Sequence, residues 1–182
     1  DKGAMLVGEG PLTKDLINIT DTDFKRVSAV SIGIVFVIIL LLFKSVTIPV
    51  ILVGVIEFAI FVNMGIPFYT GTKLPFVASI VIGTIQLGAT VDYAILMTTR
   101  YKAERLAGKE KRPAVITALS TSIPSIIVSG MGLFAATFGV AIYSDIDIIS
   151  SMCMLMARGA VVSMLCVILI LPALLLLCDR LV

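Results

Sequence analysis

Five long stretches of this chain carry at most one charged side chain each, and this feature restricts the possible folds more than any other. A helix needs about 20 mainly apolar residues to cross a bilayer, where its backbone groups must be satisfied internally. Hydrophobic residues make up 59% of the chain and charged residues 14%, against roughly half and a quarter in soluble domains. We predict an all-α integral membrane domain over residues 27–182, with spans at about 27–43, 48–66, 76–99, 114–143 and 148–178.

The first 26 residues differ from the rest because they are polar and mixed in charge. Ala4–Val7 could form a short strand, and residues 12–26 have an amphipathic, helix-compatible pattern. The chain opens on Asp1 rather than on a methionine. We therefore interpret residues 1–26 as the remnant of an extracytoplasmic domain, and the sequence as a fragment.

Composition argues against several classes of protein. The net charge of +2 gives no reason to expect a nucleic-acid partner. The absence of histidine removes the commonest metal ligand and the usual general base. We predict no metal, no cofactor and no enzymatic activity.

The distribution of basic residues predicts the orientation in the membrane. Residues 100–112 contain six Lys or Arg against two Glu, and loops rich in Lys and Arg remain on the cytoplasmic side. Alternation of the five spans then places the C-terminus inside and the N-terminal segment outside. The predicted location is the cell membrane, with several passes.

Asp92 is the strongest functional candidate, because it is the only carboxylate in the apolar stretch 76–99. A carboxylate at this depth costs several kcal/mol unless it faces protein, a partner or water, and such groups often mark proton or ion paths. The alternative is a structural carboxylate that only accepts a hydrogen bond from a neighbouring helix.

Three serines could support Asp92 from the next span. Ser122, Ser125 and Ser129 are spaced as one helix face, and Ser122 lies at a similar depth to Asp92. They could donate hydrogen bonds to the carboxylate. Equally, they could bond to their own backbone or simply allow close helix packing.

Glu57 and Arg158 are the other charged residues that lie deep within spans. Counted from the predicted outer ends of their spans, both have similar depths. We therefore predict an ion pair between the second and fifth spans. The alternative is an Arg158 side chain that extends outward and a protonated Glu57.

Several segments together resemble a known superfamily. The stretch Gly88–Leu96, which contains Asp92 and Tyr93, followed by Arg100-Tyr101-Lys102, resembles the fourth membrane helix of resistance-nodulation-division transporters, and most closely their MMPL branch. Leu42–Ser45 with Pro49 resembles the turn between helices two and three. Leu171–Leu174 followed by Asp179 resembles the end of helix six.

This resemblance implies twelve membrane helices in two halves, with export of lipids, amphiphilic molecules or drugs driven by proton influx. It also implies that Asp92 and Tyr93 relay protons together with an equivalent Asp-Tyr pair from the other half. The chain departs from the pattern because it holds one half only, without the first helix and most of the outer domain.

Two other classes compete with the transporter. A five-span block also resembles a sterol-sensing domain, which implies a lipid-binding or regulatory module without proton coupling. An intramembrane aspartyl protease would need two aspartates inside the spans, and only Asp92 meets that condition. The titratable residue at Asp92 favours the transporter.

Overall fold

The computed structural model describes residues 9–71 and 76–179 and confirms the all-α membrane fold. Five helices are long and apolar enough to cross a membrane, and the described residues contain no strand. The helices are α1 (Glu9–Phe43), α2 (Thr47–Thr70), α3 (Phe76–Leu106), α4 (Lys111–Tyr143) and α5 (Asp147–Leu177). The strand expected at Ala4–Val7 lies outside the described residues.

Helix α3, which carries Asp92, is central in the bundle. It contacts each of the other four helices, and α5 contacts α2, α3 and α4. Helix α1 lies at the edge of the bundle, and only 11% of the residues in its most apolar stretch are buried. Different faces of α3 therefore pack against different neighbouring helices.

The main core forms where α2, α3 and α5 meet. Apolar side chains recur at helical spacing along the inner face of each helix, so that packing buries one stripe per helix. The largest fully buried side chains include Leu52, Ile56, Met97, Tyr101, Val167, Leu171 and Leu175. A smaller cluster of Ala78, Ile82 and Leu155 lies toward the other end of α3.

Two helix boundaries differ from the sequence prediction. Helix α1 is continuous from Glu9 to Phe43, so no change of secondary structure marks the predicted boundary at residue 26. Helix α2 continues through Pro67 to Thr70 rather than ending at Ile66. It ends at Gly71, whose positive φ of 66° suits glycine and lets its N–H donate to the Pro67 carbonyl.

The end of the bundle that contains residues 100–112 is formed by the C-terminal ends of α1, α3 and α5 and the N-terminal ends of α2 and α4. Helix α3 extends past the predicted span to Leu106 and carries basic residues beyond the apolar stretch. A short link, which turns at Gly108 with a φ of 85°, leads into α4 at Lys111. This end therefore gathers Lys44 and the six cationic side chains of residues 100–112.

Candidate functional site

Asp92 and Tyr93 face in different directions from α3. Asp92 is exposed on the surface of the bundle, whereas Tyr93 is only 6% exposed. Successive helical residues are about 100° apart around the axis, so one of the pair can point into the bundle while the other points away. Asp92 forms no hydrogen bond or ion pair with another described residue, so it is available to a group from outside that part of the chain.

Tyr93 lines a narrow gap between α3, α4 and α5. Leu133 of α4 and Met156 and Ala160 of α5 line this gap, together with Gln86 and Thr90 from the preceding turns of α3. Only about 10 Å³ of space remains among these side chains. Tyr93 therefore packs inside the bundle directly beside the exposed Asp92.

The three candidate serines do not bond to Asp92 in the structure. Ser122 is fully buried, and its hydroxyl has no hydrogen-bond partner among the described residues. Ser125 and Ser129 are exposed, as Asp92 is. Among the described residues, the structure contains none of the predicted hydrogen bonds from these three serines to Asp92.

Glu57 and Arg158 are not paired in the structure, which corrects the predicted ion pair. Nε of Arg158 donates to Asn63 Oδ1 at 2.9 Å, and its Nη2 donates to the backbone carbonyl of Asn63 at 3.1 Å. The prediction failed because it compared depths only. Helix α2 is longer than predicted, and Glu57 points toward α1 and α3 rather than toward α5.

The partner that Arg158 has instead follows from Pro67. Proline lacks the N–H that would bond the carbonyl four residues earlier, which is the carbonyl of Asn63. Arg158 donates to that same oxygen. A proline in α2 thus frees an acceptor within the membrane, and an arginine of α5 satisfies it.

A polar network extends from this contact into α3. Asn63 Nδ2 donates to Gln86 Oε1 at 2.9 Å and to the Leu155 carbonyl at 3.2 Å. Gln86 Nε2 donates to Ser163 Oγ at 2.8 Å and to the Gly159 carbonyl at 3.3 Å. These bonds join α2, α3 and α5 within the spans, where each polar group would be costly alone.

Gly159 makes room for this network. A Cβ added there would lie 2.6 Å from Asn63 Nδ2 and 2.7 Å from Gln86 Oε1, closer than real Cβ contacts. Neither Asn63 nor Gln86 was among the residues predicted from the sequence. The signal was present, because each is an amide side chain in a mostly apolar span.

Glu57 lies in a separate cavity of about 200 Å³. The walls come from α1, α2 and α3 and are mostly apolar, with hydroxyls from Ser28, Ser31 and Thr84. Glu57 has no hydrogen bond or salt bridge with another described residue. An apolar cavity with a few convergent polar groups is suited to an amphiphilic molecule.

A second group of charges lies at the basic end of the bundle, around Asp179. Arg105 binds its carboxylate through two nitrogens, at 2.7 and 2.9 Å, and Lys111 lies 3.3 Å away. The Tyr101 hydroxyl also donates to it. Burial alone would raise the pKa of Asp179, but these donors outweigh it and hold the pKa below its usual range. The carboxylate therefore links α3, α4 and the end of α5.

Comparison with known proteins gives a family match over the whole chain. A family model described as "MMPL family" matches residues 1–182. Curated relatives include "Putative membrane protein YdgH" of Bacillus subtilis, 25% identical over 143 residues that cover 73% of this chain. "Mycolic acid-containing lipids exporter MmpL11" of Mycolicibacterium smegmatis is 25% identical over 87% of this chain.

A third relative carries a different cargo in its name. "Siderophore exporter MmpL5" of Mycobacterium tuberculosis is 23% identical over 73% of this chain. The matched part spans 16% of the length of the first two relatives and 14% of MmpL5. The match over residues 1–182 agrees with the resemblance carried by Gly88–Leu96 and its flanking segments, and the chain belongs to the MMPL family.

Proposed function

We propose that this chain is part of a proton-driven exporter of lipids or amphiphilic molecules in the cell membrane. The observation that carries the proposal is Asp92, a carboxylate inside a span that is exposed and has no partner among the described residues. A lone intramembrane carboxylate on an open helix face is suited to a partner from another part of the protein. The other half of the transporter, with its own Asp-Tyr pair, would supply it.

In the proposed mechanism, Asp92 takes up a proton from the outer side and releases it inward. The change of charge on the exposed face alters the attraction between the two halves. Tyr93 is buried among α3, α4 and α5 directly beside Asp92. It transmits the change of charge to the packing of these three helices. The relative motion of the halves then drives the cargo through the outer domains.

The test is export by the full-length protein from proteoliposomes with an imposed proton gradient. Export should depend on the gradient and stop when a protonophore collapses it. Export at the same rate without a gradient would remove proton coupling from the proposal.

The proposed orientation makes a separate prediction about the loops. In cells expressing the full-length protein with its native cysteines replaced, Lys109→Cys should be shielded from an impermeant thiol reagent added outside. Asp145→Cys, between α4 and α5, should react with it. Both residues are exposed, so their environment does not limit the reaction. Labelling of Lys109→Cys from outside in intact cells would show that the orientation is inverted.

The second candidate function, lipid binding without proton coupling, is favoured by the cavity around Glu57. The cavity lies between three spans and is lined mainly by apolar side chains. In an exporter, the same cavity would hold an amphiphile on its path. The two functions differ in the gradient experiment, since only the exporter needs a proton gradient.

A further inference from the structure

The basic end of the bundle contains a cavity of about 190 Å³ that the proposed mechanism does not use. Its lining is Tyr101, Lys102, Arg105, Leu106 and Asp179. It lies where α3 leaves the apolar part of its sequence and where α5 ends. The cavity is therefore at the level of the lipid headgroups.

The charges around this cavity are unequal. Asp179 is the one carboxylate in its lining, and its side chain is only 5% exposed. Its oxygens already accept bonds from Arg105 and Tyr101 and an ion pair from Lys111. Two cations, Arg105 and Lys111, thus bind a single carboxylate whose acceptor capacity is in use, and a third cation, Lys102, also lines the cavity. The nearby Glu104 is paired with Lys109.

Lys102 carries the positive charge in the cavity lining that no carboxylate of the described residues neutralises. Within the described part of the chain it has no carboxylate partner. Its Nζ donates to the Phe43 carbonyl at 3.0 Å and lies 5.8 Å from the centre of the Phe43 ring. An ammonium has three N–H donors, so this contact leaves two of them for a ligand.

Arg105 adds donors of the same kind. Three of its five N–H groups are used, two toward Asp179 and one toward the Lys109 carbonyl at 2.8 Å. The cavity therefore offers a ligand several N–H donors and few free acceptors. This donor-rich, positively charged lining suits an anion with several oxygens.

The surroundings of the cavity narrow the choice of anion. Leu106 is 81% exposed at its rim, and Leu177 at the end of α5 is 79% exposed. Exposed leucines beside cations are typical of the boundary between headgroups and acyl chains. Basic pockets between spans on the cytoplasmic side bind phospholipid headgroups.

We propose that this cavity binds a phosphate-bearing anion, and that its source is the headgroup of an anionic phospholipid in the adjacent leaflet. Lys102 and Arg105 would contact the phosphate oxygens, and Leu106 would contact the acyl chains. Asp179 would hold Arg105 in place from behind. The site is independent of proton coupling at Asp92.

The experiment compares phosphatidylglycerol and phosphatidylcholine binding to the delipidated full-length protein by native mass spectrometry. The wild type should prefer phosphatidylglycerol. Lys102→Gln should weaken phosphatidylglycerol binding about fivefold, the effect of one cation near a membrane surface, and leave phosphatidylcholine unchanged. The matched control is Arg112→Gln, which removes the same charge from an exposed position outside the cavity.

A second pair of variants keeps the test valid if Lys102→Gln folds poorly. Leu106→Glu places a carboxylate at the rim of the cavity and breaks no side-chain hydrogen bond. Leu106→Gln is its neutral control. Only the glutamate should weaken phosphatidylglycerol binding. An additional arm adds excess inorganic phosphate, with thermal unfolding as the readout.

Three results would decide the matter. If the two lipids bind alike but phosphate stabilises the wild type and not Lys102→Gln, the anion site stands and its source is soluble phosphate. If the lipids bind alike and phosphate has no effect that depends on Lys102, the proposal is wrong. Equal weakening by Arg112→Gln would also overturn it, because general surface charge would then explain the preference.

Discussion

Asp92→Asn in the full-length protein should reduce proton-driven export to the level of liposomes without protein, while insertion and folding remain normal. Asparagine has nearly the same shape as aspartate but cannot take up and release a proton. Because Asp92 has no partner among the described residues, the change should break no contact within the bundle. It also removes a group that is costly in the membrane, so the variant should be at least as stable as the wild type.

The measurement is export from proteoliposomes with an imposed proton gradient, with the amount of folded protein determined alongside. Asp145→Asn is a matched control, because it makes the same change on an exposed carboxylate between α4 and α5. The control should export normally. Wild-type export by Asp92→Asn would exclude proton carriage by this residue.

The largest expected effect on stability concerns Asn63 and Arg158. Asn63→Leu should destabilise the protein by about 3–5 kcal/mol, since it leaves Arg158 Nε, Gln86 Oε1 and the Leu155 carbonyl without their partner in the spans. Arg158→Met should lower the free energy of unfolding less, by about 1–3 kcal/mol. It removes the donor to the Asn63 carbonyl, which Pro67 cannot satisfy. The double variant should recover part of the loss, because the charge and its acceptor disappear together.

Thermal unfolding of the full-length protein in detergent provides the readout for this cycle. Glu57→Gln serves as the control, because Glu57 does not contact Arg158. Its effect should simply add to that of Arg158→Met. If Glu57→Gln rescued Arg158→Met and Asn63→Leu did not, Glu57 would be the true partner of the arginine.

Gly159→Ala tests the same network from its other side. The added methyl group would displace Asn63 Nδ2 or Gln86 Oε1 and break at least one of their bonds, so the unfolding temperature should fall. Gly139→Ala is the matched control, because no atom lies within 4 Å of a Cβ built there. An equal fall for both variants would mean that the network around Gly159 contributes nothing specific.

The sequence alone was sufficient for the number of spans and for the family. An uncharged stretch such as 27–43 has few other stable conformations in a membrane, so its length identifies the helix. Helix ends were harder to predict. Pro67 and Arg26 look like boundaries in the sequence, yet the helix continues through both.

The polar contacts were predictable only in part. Asp92 could be recognised because a carboxylate is rare in a span. The partner of Arg158 could not, because depth along a helix can be counted from the sequence, whereas the direction of a side chain around the helix depends on packing. The partner could be explained only from the structure, in which α2 extends past Pro67 and leaves the Asn63 carbonyl without its helical donor.

The two groups of polar contacts on α3 also limit how the bundle can move. Gln86 ties α3 to α2 and α5, while Tyr101 and Arg105 tie it to the end of α5 through Asp179. Asp92 lies between these ties, about 9 Å from Gln86 and 14 Å from Tyr101 along the axis. A helix fastened on both sides of a titrating residue has little freedom to slide or turn alone, so a force applied at Asp92 acts on α2, α3 and α5 as one rigid body.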